Sequence, residues 1–202
     1  MRNKTLLERP TPLLRVGRGL AKLESLRPSG GVEDRIVAAW EPKDAVVVGS
    51  AGLALAAAGW ARSRGVSLKA CVRSGLTHEV KRVLEIWGVQ LLDEAQPTHL
   101  ETAEAYAATL GAELRAQIGE VAALVGPAGL ALRGTLLAFP GVRCIEVPVD
   151  TVGPARAWLA RTAGLLASHA SAAAVQIASG IEGAVALVTA TGEREFSLGD
   201  AP

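Results

Sequence analysis

The chain has 202 residues, enough for one domain or two small ones around a sizeable core. Half of it is hydrophobic and 20% is charged, with a mean hydropathy of +0.29, which excludes a disordered, highly charged segment. Twenty-one Lys and Arg against 20 Asp and Glu leave a net charge of +1, so neither a nucleic-acid field nor a polybasic membrane patch is expected. The apolar residues are chiefly Ala, Val and Leu, and Gly, Pro or a charge interrupts them before the roughly 18 residues of a membrane span. Residues 1–10 (MRNKTLLERP) are polar, which predicts no secretory leader. Cys71 and Cys144 stand alone in strand-like runs, as buried small hydrophobes of a cytoplasmic protein do.

In chain order, residues 13–16 and 20–23 read as short strands, and 32–40 has helical spacing after the Ser29-Gly30-Gly31 turn. Residues 45–49 (AVVVG) form a buried-strand run that passes directly into an Ala-rich helix over 51–63. Strand 67–72, helix 78–87, strand 89–92 and helix 101–114 follow. Strand 121–126 leads through Pro127 to Gly129 into another helix, then come strand 142–147, helices 155–166 and 171–178, and a last strand 184–189. Short apolar strands alternating with helices predict an α/β fold with parallel sheets covered by helices. The runs 45–49 and 121–126 are apolar throughout and are expected as interior strands. Looser patterning near 96–99 and 118–120 suggests two lobes, a larger one from 1–40 and 119–202 and a smaller inserted one from 41–118.

Three strand-to-helix turns are candidate anion sites, because small residues let backbone N–H groups at a helix start approach a ligand. They are Pro28-Ser29-Gly30-Gly31, Gly49-Ser50-Ala51-Gly52 and Gly126-Pro127-Ala128-Gly129. Taken singly, each is better explained by tight turning or close packing. Dinucleotide glycine spacing and a Walker lysine are both lacking, which disfavours a nucleotide enzyme. His78, His99 and His169 lack metal-ligand spacing. Ser168-His169 reads as surface or packing, since neighbours on a helix do not face each other, and Glu33-Asp34-Arg35 reads as the charged first turn of a helix.

Taken in order, these words resemble the fold-type II pyridoxal-phosphate family of cysteine synthase and the tryptophan synthase β chain. Thr11-Pro12-Leu13-Leu14-Arg15, Ala21-Lys22-Leu23-Glu24 and Pro28 through Arg35 resemble the family's opening "TPL-RL", "AKLE" and "P-GS-KDR". Gly49 through Ala54 is similar to its substrate-carboxylate loop "GNTGIA", and residues 83–89 to "-L-AYGAE". Gly126 through Leu130 falls at the phosphate loop "GTGGT". Residues 163–174 resemble "EGI----SSGAA", and 184–194 the closing "SGERY". The resemblance spans residues 9–196 and implies a two-lobed fold, dimers, and a lysine that holds the cofactor as an imine.

The departures fall on the functional positions. Glu33 stands where the resemblance places the imine-forming lysine, and a carboxylate cannot form an imine. Lys4, Lys22, Lys43, Lys69 and Lys81 lie at no matching turn. Ser50 and Ala51 replace the asparagine and threonine of the carboxylate loop. Gly126 and Gly129 remain in the phosphate loop, but its threonines are gone and Pro127 removes a donor. The partner of the pyridine nitrogen falls at Ala190 or Thr191, of which only Thr191 could serve. A segment is also missing between Leu114 and Val121.

These losses favour a relative without imine catalysis, acting as a regulatory or structural partner or binding a small carboxylate or phosphate through Ser50, Ala51, Gly52, Gly126, Gly129 and Thr191. No metal and no cofactor are expected in that reading. The alternative is an amino-acid lyase or transferase that holds pyridoxal phosphate atypically, with Glu33 as general base. Anion binding is expected at Ser50-Ala51-Gly52 and not at Pro127. Trp40, Trp60, Trp87 and Trp158 offer either core mass or the surface of a homodimer.

Overall fold

The computed structural model describes residues 9–40, 43–74 and 76–191. The Gly192-Glu193-Arg194 part of the closing resemblance lies outside these described residues. Among the described residues, eight strands form two sheets. The larger has the order β1-β2-β8-β6-β7, from β1 (Leu13–Val16), β2 (Gly19–Leu23), β8 (Ala184–Val188), β6 (Ala123–Pro127) and β7 (Arg143–Val147). β1 and β2 make an antiparallel hairpin, and every other pairing in this sheet is parallel. The smaller sheet is β3 (Ala45–Ser50), β4 (Leu68–Ser74) and β5 (Gln90–Leu91), in that order and parallel throughout.

β8 shows why the larger sheet is covered on both faces: all five residues of AVALV are buried. Ala184, Ala186 and Val188 face a core built with α7 (Ala155–Ala163) and α8 (His169–Ser179). Val185 and Leu187 face the opposite core, with α1 (Asp34–Val37), α4 (Ala103–Tyr106), α5 (Ala112–Ile118) and α6 (Leu130–Leu137). A π-helical turn, Ala107–Gly111, joins α4 to α5 without a break. α8 is rich in alanine and comes so close to the β1–β2 hairpin that a Cβ at Gly19 would lie 2.3 Å from the Ala178 carbonyl oxygen.

The smaller sheet packs on α2 (Ala51–Arg64) and α3 (His78–Ile86). α2 is buried on nearly every side, as its uninterrupted alanines require, and Gly65 ends it in the left-handed conformation at φ 68°. Trp40 packs against both this core and the α4–α5 core; its ring meets Trp60 edge-on at 5.6 Å and stacks on His99 at 4.5 Å.

Elements and sequence differ in two places. The expected helix over 32–40 shrinks to Asp34–Val37, because the Val32 N–H is taken by the Thr189 carbonyl and Ala39 and Trp40 bond back only three residues. β6 is interior as expected, but β3 is an edge strand. Its outer side is covered: the Thr98 N–H donates to the Val46 oxygen at 2.9 Å, and Thr98 Oγ1 accepts the Val46 N–H at 3.0 Å. The helices α4 and α5 pack on α6 and the larger sheet through Tyr106, Leu110 and Leu114. Among the described residues no helix is long and apolar enough to cross a membrane.

Candidate functional site

The turn before α1 is pinned to the end of β8. Gly31 bridges Ala190, the Thr191 N–H donates to the Gly30 oxygen at 3.1 Å, and the Val32 N–H donates to Thr189 at 2.9 Å. Glu33 follows at once, half-buried and immediately ahead of α1. Thr191 and Glu33 are thus brought to one place by the backbone. Tyr106 belongs to the same neighbourhood: burial foremost, then the carboxylates of Glu101 and Glu33, push its phenol far above the ordinary value, and its hydroxyl donates to Glu101 at 2.7 Å. Behind Ala190, α8 is anchored by hydroxyls. Ser168 Oγ accepts the Ser171 N–H, Ser171 Oγ accepts the Thr189 N–H, and the Ser168 N–H donates to Ala190. Ser168 is therefore a helix cap.

The two glycine turns behave differently. Ser50 is exposed at the start of α2, and its Oγ accepts the Leu53 N–H at 3.1 Å. The serine caps its own helix, so Ala51 and Gly52 present the first-turn amides. In the second turn, Pro127 has no N–H and lies within β6 opposite Val147. The Ala128 N–H donates to the Val147 oxygen at 2.8 Å, and the Gly129 oxygen accepts from Arg133. At Gly126 a Cβ would meet Leu132 and Leu187 at 3.3 Å, so that glycine serves close packing. Pro127 and Ala128 therefore offer no free N–H at this turn, and the Gly129 carbonyl starts the bonding of α6.

A cluster of buried charges, unforeseen in the sequence, fixes α1 in place. Arg35 donates through Nε and Nη2 to both oxygens of Glu24 at 2.8 Å each, and through Nη1 and Nη2 to both oxygens of Glu113. Lys22 Nζ donates to Glu113, to Gln117 Oε1 at 2.6 Å and to the Thr11 carbonyl at 2.7 Å. Arg27 adds a third cation, 3.5 Å from Glu24 and 3.7 Å from Glu113. Burial pushes the Glu113 carboxyl up, but Arg35 and Lys22 outweigh it and hold it at about 2. Burial pulls the Lys22 ammonium down, against Glu113. The signal was present in the word Ala21-Lys22-Leu23-Glu24, where Lys22 interrupts an otherwise apolar strand and Glu24 follows its end.

The histidines are dispersed: His99 stacks on Trp40, and His169 Nε2 lies 3.1 Å from Arg156. Among the described residues no group of His, Cys, Asp and Glu could hold a metal ion. Cys71 is buried and Cys144 half-buried, both as free thiols.

No protein-family model and no curated protein matches the sequence. Solved structures do match. A mutant O-ureido-L-serine synthase with O-ureido-L-serine bound is 18% identical, with a TM-score of 0.73 over 97% of this chain and 92% of that one. An O-acetylserine-dependent cystathionine β-synthase from Helicobacter pylori is 15% identical, with a TM-score of 0.70 over all of both chains. A hydrogen sulfide-producing enzyme from Fusobacterium nucleatum is 13% identical, with a TM-score of 0.71 over 95% of this chain and 99% of that one. The chain therefore has the fold of the cysteine synthase-like, fold-type II pyridoxal-phosphate family.

Proposed function

We propose that this protein is a cysteine synthase-like scaffold that has given up imine chemistry and acts by binding, as a cytoplasmic partner protein or receptor for a small carboxylate or phosphate. The observation that carries this reading is Glu33, held beside the end of β8 by the backbone bonds from Gly30, Gly31 and Val32. A covalently held pyridoxal phosphate needs an amine there, and the residues present do not fit it. Lys22 cannot substitute, because its Nζ is enclosed by Thr11, Glu113 and Gln117. The phosphate end is as poorly served: Pro127 donates nothing, and Ala128 donates to Val147. Ala51 and Gly52 at the start of α2 are the amides we assign to a retained anion.

Incubation with pyridoxal phosphate should give no visible aldimine band, and borohydride should leave no specific pyridoxyl-lysine. Amide resonances of Ala51 and Gly52 should shift on titration with phosphate or an amino acid, while those of Ala128 and Gly129 stay in place. Glu33→Lys alone should not create a transferase, since the phosphate would still be unheld. A protein that purifies yellow with stoichiometric cofactor sinks the reading and installs the amino-acid lyase or transferase alternative.

A further inference from the structure

A cavity of about 380 Å³ lies between α2 and the turn ahead of α1, with Pro28, Ser29, Leu55, Gly59, Trp87 and Arg64 on its wall. The wall is mostly apolar, and Trp87 is 36% exposed. Gly59 keeps the space open, since a Cβ there would have only the Trp87 ring within 4 Å, at 3.7 Å. The stretch that α2 contributes, from Leu55 to Arg64, runs about 14 Å along the helix. The chain itself arrives at the rim. The Thr191 N–H donates to the Gly30 oxygen at 3.1 Å, and Gly30 directly follows Ser29. Residues 192–202 (GEREFSLGDAP), which lie outside the described residues, therefore continue from a point next to this wall. An extended chain advances about 3.3 Å per residue, so Phe196 can reach about 17 Å from Thr191 and Leu198 about 23 Å. That reach covers the length of the α2 wall.

The composition of the segment fits the cavity as well. Phe196 and Leu198 are its only large apolar residues, and a spacing of two puts both on one side of an extended chain. Around them stand Glu193, Glu195 and Asp200 against Arg194 alone, which makes the segment acidic. α2 ends in Arg62 and Arg64, both exposed. The one acid on the wall, Asp34, has its carboxylate engaged by the Ser29 N–H at 2.8 Å. From the place where the chain leaves β8, its reach and this complementarity, we infer that residues 192–202 strap across the cavity of their own chain. Phe196 and Leu198 cover Leu55, Gly59 and Trp87, and the acids of the segment lie towards Arg64. The strap ties the end of β8, and with it Thr191, to α2.

The test compares the ¹⁵N-labelled parent with the full-length Phe196→Ala, Leu198→Ala variant, following the four indole N–H resonances assigned by Trp→Phe substitutions. The variant is expected to move the Trp87 resonance and leave that of Trp158, on α7, in place. Adding the synthetic peptide GEREFSLGDAP to the variant should return the Trp87 resonance saturably towards its parent position. The same peptide with alanine for its phenylalanine should bind about tenfold more weakly. Arg64→Glu in the variant should weaken the unaltered peptide about threefold, less so at high salt. Gly59→Leu fills the cavity and should abolish peptide binding, with the fold checked by the unchanged Trp158 resonance. The proposal is overturned if Phe196→Ala, Leu198→Ala leaves the Trp87 resonance where the parent has it, or if Gly59→Leu binds the peptide undiminished. It is equally overturned if the variant takes toluene but not the peptide, because the cavity then serves a free apolar molecule. A Trp87 resonance of the parent that moves with protein concentration as a dimer forms in sedimentation also overturns it, since a second copy is then the cover.

Discussion

Glu113→Gln is expected to lower the unfolding free energy by about 3 kcal/mol at neutral pH, read as a drop in the urea midpoint with the slope unchanged. The side chain keeps its size but loses the charge that faces Lys22, Arg27 and Arg35. Glu24 would then be the one carboxylate among three buried cations, and removing one partner of such a set costs far more than the set contributes over an apolar core. The titration of Glu113 agrees in size. A carboxyl moved from an ordinary 4.5 to about 2 contributes on the order of 3 kcal/mol. The sign is fixed by the lowered value: the folded protein prefers the carboxylate. The contribution is complete above the ordinary carboxylate value and disappears as pH falls from there towards 2. Lys22 is lowered as well, but for a cation that disfavours the charged form, because burial outweighs its acceptors, so the gain resides in a carboxylate gripped by two cations. Acid unfolding of the parent should be steep across that window and that of Glu113→Gln shallow. Matching acid limbs would show that the cluster is not formed in solution.

Much of the architecture is legible because burial leaves direct marks on composition. AVALV can only be an interior strand, and the alanine run after Ser50 can only be a helix packed on most of its circumference. The status of β3 is not legible, since AVVVG reads the same whether a strand or the loop at Thr98 covers its outer side. The charge cluster hides for a different reason. Lys22 and Glu24 are adjacent in sequence, but the carboxylate that completes their surroundings is 91 residues from Lys22, on α5. Glu33 is conspicuous through the order of the surrounding words, whereas its closeness to Tyr106 and Thr191 needs the fold. Ser168-His169 reads as surface or packing, and Ser168 takes its packing role one place outside the helix, as the cap.

Gly134→Ala should destabilise the fold by about 3 kcal/mol or more, although alanine is the better helix former by about 1 kcal/mol. Gly134 is in mid-helix, where glycine has no capping role, and a Cβ there would lie 2.2 Å from the Ala103 oxygen and 2.5 Å from Tyr106 Cβ. Neither neighbour can yield cheaply. Ala103 opens α4 under the Thr102 cap, and Tyr106 is fully buried with its hydroxyl on Glu101. The same crossing recurs at Gly111, where a Cβ would be 2.6 Å from Ala138 Cβ. There the obstacle is one methyl group, so Gly111→Ala should be largely rescued by Ala138→Gly, at a position that ends α6 and tolerates glycine. Gly134→Ala should have no comparable rescue, since its obstacle is backbone. If Gly134→Ala instead raises the urea midpoint by its helix propensity, α4 and α6 do not touch as described. The consequence reaches the candidate site, because α4 runs through the π turn into α5 and carries Glu113. An α4 forced off α6 draws Glu113 away from Arg35, loosening the turn that presents Glu33. Gly134→Ala should therefore also flatten the acid limb that Glu113 sets, which a simple local clash would leave unchanged.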